Sequence, residues 1–102
     1  MEQNLTAIIY NKKGKILSIG KNSYSKTHPL QALHAKKQGM PERIFLHAEI
    51  AAIVKCPDLT KAYRMQVIRT NKEGKLMYAK PCAVCMSAIH SINLKQIDWS
   101  ID

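Results

Sequence analysis

The spacing of apolar residues changes period several times along the chain. NLTAIIYN (4–11) is rich in β-favouring residues, NKKG supplies turn residues, and KILSIGKN (15–22) resumes the pattern. This predicts a hairpin of two strands with Gly14 in the turn. From Ser23 to Phe45 the pattern is mixed; within it, THPLQALHAKKQG (27–39) suits a short helix after Pro29, ended by Gly39 and Pro41. A connection this long in so small a chain usually has a function. Leu46, Ile50, Ile53 and Val54 recur at helical spacing, and Pro57 stops that run. YRMQVIRTN (63–71) predicts a third strand, NKEGK (71–75) a turn at Gly74, and AVCMSAIHSI (83–92) a helix opening after Pro81. KQIDWSID (95–102) alternates as a fourth strand. The order β-β-α-β-α-β predicts an α/β fold, a mixed sheet with helices packed on it, in one domain over 1–102.

Composition narrows the classes. The chain has 102 residues, 46% of them hydrophobic, enough for one modest core. No apolar run reaches membrane-spanning length, and the first residues lack the basic-then-apolar order of a signal peptide. The expectation is a cytoplasmic protein without a membrane partner. Three cysteines in a reducing compartment argue against a disulfide framework and leave metal binding or catalysis.

The formal charge is +9, and no acidic residue lies between Glu2 and Glu42, a span holding Lys12, Lys13, Lys15, Lys21, Lys26, Lys36 and Lys37. Such one-sided charge attracts phosphate, on a free nucleotide or along a nucleic-acid strand. A basic, well-solvated surface is the plain alternative.

Two short stretches carry chemistry. LHAEIAAI (46–53) places His47 and Glu49 at the head of one predicted helix, and KPCAVC (80–85) places Cys82 and Cys85 at the head of another. Zinc favours thiolate and imidazole, and a catalytic site takes three protein ligands and keeps one position open. A CxxC in a first helical turn brings both sulfurs to the positive end of the helix, where thiolate is favoured, and Pro81 helps set that turn. His47 would be the third ligand. Glu49, two residues on, would lie near the metal without binding it, placed to carry protons.

Each half alone has an ordinary explanation. Glutamate in a first helical turn suits the helix dipole, and a lone CxxC is equally a redox pair or half of a structural zinc site. The redox reading lacks the early strand-then-CxxC placement of thioredoxin-like chains. A four-ligand structural site needs a further Cys or His, and Cys56, His28, His34 and His90 are isolated singles. Cys56 reads as a helix-end core residue and His90 as a helix-face residue. Together, HxE followed by PCxxC is the signature of zinc deaminases that act on nucleobases.

On these residues the chain resembles the cytidine/deoxycytidylate deaminase superfamily. The likeness covers nearly the whole chain, with HAEIAAI and KPCAVC as its specific motifs. It implies a cytidine deaminase-like three-layer fold and a Zn2+ cofactor held by His47, Cys82 and Cys85, with Glu49 as proton shuttle. It also implies a sugar contact from Asn22, where the family ends its second strand with asparagine, and a base-carbonyl contact from the backbone N–H of Ala48. A turn residue without a ligand is the other reading of Asn22. A histidine as first ligand sets the chain apart from free-cytidine deaminases with three cysteines. It is similar instead to the deoxycytidylate, tRNA-adenosine and polynucleotide branches. Relatives usually continue into a fifth strand and further helices, so this looks like a minimal, phage-like, C-terminally short member. An exposed sheet edge would then favour a homo-oligomer.

Three functions follow as expectations. The favoured one is deamination of cytosine in a free nucleotide or nucleoside, with Lys26 and His28 holding a phosphate; both also suit a solvated loop. The second is deamination of single-stranded DNA or RNA along the basic stretch. Strand-binding proteins interleave stacking aromatics, and only Tyr24 and Phe45 are near. The third is a non-enzymatic, zinc-stabilised binding domain, against which the intact Glu49 argues.

Overall fold

The computed structural model describes residues 4–23, 27–39, 47–71, 73–92 and 94–100. Strands β1 (Asn4–Tyr10) and β2 (Ile16–Lys21) form the expected hairpin, followed by helices α1 (Pro29–Lys37) and α2 (Ala48–Lys55). A 3-10 turn, Leu59–Lys61, leads into β3 (Arg64–Thr70) and β4 (Leu76–Met77), then α3 (Ala83–Ser91) and β5 (Gln96–Trp99). β3 is central: it pairs antiparallel with β1 and β4 and parallel with β5, while β2 pairs with the far side of β1. The result is an α/β fold, among the described residues a mixed sheet of five strands with three helices. The sequence reading anticipated four strands. β4 escaped it because two residues are too few to show alternation.

The hairpin turns of β1–β2 and β3–β4 are near twins, NKKGK and NKEGK. In each, the asparagine side chain (Asn11, Asn71) accepts from two backbone N–H groups, those of Lys13 and Lys15 or of Glu73 and Lys75. Gly14 and Gly74 take φ of 87° and 82°, a left-handed conformation that a side chain disfavours.

One face of the sheet carries the core. Ala7 and Ile9 of β1 lie opposite Val67 and Met65 of β3, and all four are fully buried. Burying the Ile9, Met65 and Val67 side chains contributes about 1.5–3 kcal/mol each. α2 packs over β1 and β2 through Ala48, Ile50, Ala51, Ala52 and Ile53, while α3 packs against α1 and α2. On the opposite face, beside Ile8 and Ile68, four polar residues are joined by contacts among themselves. Tyr10 Oη donates to Gln66 Oε1 at 2.9 Å, Arg64 Nε donates to Asp98 Oδ2 at 2.6 Å, and the Arg64 guanidinium lies 5.0 Å from the Tyr10 ring centroid.

Gly20 sets how closely α2 approaches. A Cβ there would lie 2.2 Å from Ala52 N and 2.4 Å from Ala48 O, so the helix backbone rests directly on β2. Ser18 Oγ, two residues earlier, donates to Ala52 O at 2.8 Å. Together the Gly20 and Ser18 contacts seat α2 on β2 from Ala48 to Ala52, directly behind the HAE motif. Among the described residues no helix is long and apolar enough to cross a membrane.

Candidate metal centre

The two motifs meet at the N-termini of two helices. His47 is the N-cap of α2 and Cys82 the N-cap of α3, which puts Glu49 at the second helical position of α2 and Cys85 at the third of α3. The CxxC spacing therefore brings both sulfurs to one helix end. Neither His47 nor Cys82 makes a side-chain capping bond.

His47 Nδ1 lies 3.1 Å from Cys85 Sγ and 3.6 Å from Cys82 Sγ, and the three ligand atoms all fall within 4.8 Å of one another. Ligand atoms held about 2.0–2.3 Å from a tetrahedral zinc are about 3.5 Å apart. The donor set and the spacing fit zinc. The group is positioned to bind a metal ion with three protein ligands.

The electrostatics match. The Cys82 thiol is pushed down to about 3, chiefly by a hydrogen bond from Cys85, against the opposing effect of burial and with help from His47. The same bond, together with burial, pushes Cys85 up. One thiolate is thus already stabilised at the helix N-terminus. Glu49 is only 4% exposed, and its Oε1 has no hydrogen-bond partner among the described residues. Burial raises its pKa above the ordinary carboxylate value, against its own backbone N–H, the Cys85 thiol and the His47 charge. A buried carboxylate oxygen without a partner is costly unless it faces a ligand.

Ala48 is fully buried at the first position of α2. Asn22 follows β2, and its Oδ1 accepts from Leu5 N at 3.0 Å. His28 is the N-cap of α1, its Nδ1 accepting from Leu30 N at 3.0 Å. Lys26, Tyr24 and Phe45 lie outside the described residues. Lys12 and Lys13 line a cavity of about 980 Å³ with Lys61, Lys95 and Ser91. Ser91 is the last residue of α3, about 13 Å along that helix from Cys82.

The structure adds two residues that the sequence reading passed over. Gln31, fully buried on α1, accepts from the backbone N–H of His47 at 3.2 Å. His34, read as an isolated single, is 3% exposed and pairs through Nδ1 with Ser87 Oγ of α3 at 2.9 Å. Burial, and then the charge of Lys37, hold His34 below the usual histidine range. The buried face of α1 is Gln31, His34 and Ala35, so no apolar periodicity marked it. The one local signal was Pro29 opening a helix whose third and sixth residues are polar.

No curated protein matches the chain significantly. The family described as cytidine and deoxycytidylate deaminase zinc-binding region matches residues 1–100, nearly the whole chain and both motifs, and the chain belongs to that family.

Proposed function

We propose that the chain is a hydrolytic deaminase that converts the cytosine of a free nucleotide or nucleoside to uracil. The observation that carries this reading is Glu49 Oε1, buried and without a hydrogen-bond partner among the described residues, in the same helical turn as His47. A zinc site that only stabilised a binding domain would gain nothing from a desolvated carboxylate beside it.

His47, Cys82 and Cys85 would hold the ion. Zinc, when bound, supplies Lewis acidity that makes water a nucleophile near neutral pH. Glu49 takes the proton from the water as its oxygen attacks the amine-bearing ring carbon, and delivers it to the adjacent ring nitrogen. A second proton passes from the attacking hydroxyl through Glu49 to the amine, the C–N bond breaks, and ammonia leaves with the ring carbonyl in place. The raised pKa of Glu49 suits a group that must both accept and return a proton. The Ala48 N–H, at the first position of α2, would meet the base carbonyl, and Asn22 would contact the sugar.

The free-nucleotide reading is supported by the placement of Lys12 and Lys13 at the far end of α3, away from the ligands. The test is one panel of cytidine, CMP, dCMP, adenosine and mixed-sequence single-stranded DNA and RNA. Conversion is read by mass spectrometry with Glu49→Ala as control. Conversion of the cytosine monomers, lost in the control, is expected. Deamination confined to the polymers overturns the proposal, as does an active Glu49→Ala protein.

A further inference from the structure

We infer that Gln31 is a positioning residue for the metal centre, holding the His47 backbone so that its imidazole meets the two sulfurs. The N-cap N–H of a helix lies outside the helical ladder and needs an acceptor of its own. In a capping box, a glutamate or glutamine at the third helical position reaches back to supply it. In α2 that position is Ile50, and the glutamate of the turn, Glu49, sits one place earlier. Gln31 Oε1 takes the role from another helix, 3.2 Å from His47 N.

The consequence is geometric. Fixing this N–H fixes the peptide plane before His47, hence its φ of −82° and the direction of its Cα–Cβ bond. A tilt of that plane would swing Nδ1 away from contacts of 3.1 and 3.6 Å. A residue present only to fill space would be leucine or methionine. A fully buried carboxamide is justified by the bonds it makes. His34, three residues on and on the same face of α1, bonds to Ser87, two residues past Cys85. One face of α1 therefore holds both ligand-bearing helices.

The inference rests on the zinc-site reading above, not on which base is deaminated. The test compares zinc affinity, by competition with a chromophoric chelator, and the visible spectrum of the cobalt(II)-substituted protein. Gln31→Met keeps the volume without the acceptor, and is expected to weaken zinc binding about 10–100-fold and to shift the cobalt bands. Gln31→Glu keeps an oxygen at the same reach and is expected to restore both. Affinity and spectrum unchanged in Gln31→Met, with only the melting temperature lowered, would show a core filler and overturn the inference. Should Gln31→Met not fold, Gln31→Asn draws the oxygen back by one carbon. Weaker zinc binding in it supports the positioning role, and unchanged binding overturns it. Because no readout is turnover, a wild-type chain that binds zinc but deaminates nothing defeats the functional proposal alone.

Discussion

His47 and Cys82 occupy equivalent places: each is the N-cap of its helix, and neither caps it. N-caps are where serine, threonine, aspartate and asparagine stabilise a helix by about 0.5–2 kcal/mol relative to alanine. Here both positions go to side chains that turn toward each other. The two helix starts are therefore under-stabilised by design of the site, and a metal that joins them restores the loss.

This gives a separable prediction for Cys82→Ser. Serine caps α3 but removes a ligand, so the metal-free variant should be more stable than metal-free wild type by about 1 kcal/mol. For a domain of this size that is about 4–8 °C in melting temperature. Zinc should raise the wild-type melting temperature and leave that of the variant nearly unchanged. Melting curves with zinc and with chelator decide it, and equal zinc-dependent shifts in the two proteins would remove the ligand role of Cys82.

Gly20→Ala tests the seat of α2. The added methyl would meet Ala52 N at 2.2 Å and Ala48 O at 2.4 Å, both backbone atoms that cannot move without the helix. Overpacking of this kind costs about 1–3 kcal/mol. Displacing the first turn of α2 also moves His47, so zinc affinity should fall along with the melting temperature. A variant that melts early yet binds zinc as wild type does would separate the packing of α2 from the site.

His34 gives a pH dependence. Its folded pKa is depressed by burial and by Lys37, so the folded state favours the neutral ring. Above about pH 6.5, the ordinary histidine value, neither state is protonated and the group has no effect. As pH falls below that value the unfolded chain gains the proton first, and stability declines until the folded pKa is passed. His34→Gln should flatten the melting temperature between pH 7.5 and pH 5 relative to wild type, with the Ser87 contact kept by the carboxamide. Parallel profiles would mean that His34 is not the titrating group.

The parts of this molecule that were legible in the sequence are those set by local spacing. H-x-E and C-x-x-C have meaning because three or fewer residues separate their members at a helix start, and Ala7, Ile9, Met65 and Val67 alternate within single strands. What stayed hidden depends on contacts between distant segments. Gln31 and His47 are sixteen residues apart, and the buried face of α1 is polar, so apolar periodicity was silent where the brace lies. β4 is two residues long and exists only through its register with Arg69 and Thr70. Asn22 was visible as a residue, but not its bond to Leu5, which depends on the hairpin having closed.

That bond makes Asn22 a test of the proposed sugar contact. Its Oδ1 accepts from Leu5 N and its backbone N–H donates to Leu5 O at 3.3 Å, so the side chain extends the ladder of β1 and β2 by one step. Asn22→Asp keeps an acceptor for Leu5 and replaces the amide donor by a second oxygen. If the asparagine only closes the hairpin, the variant should melt and turn over like wild type. If its amide also binds the sugar, melting should be nearly unchanged while KM for a cytosine nucleoside rises by at least about tenfold, the effect of losing one hydrogen bond worth about 1.4 kcal/mol and leaving a sugar oxygen unpaired. Asn22→Ala should lose both, because Leu5 N is then left without its acceptor. The contrast between the aspartate and alanine variants separates a hairpin clamp from a substrate ligand at one position.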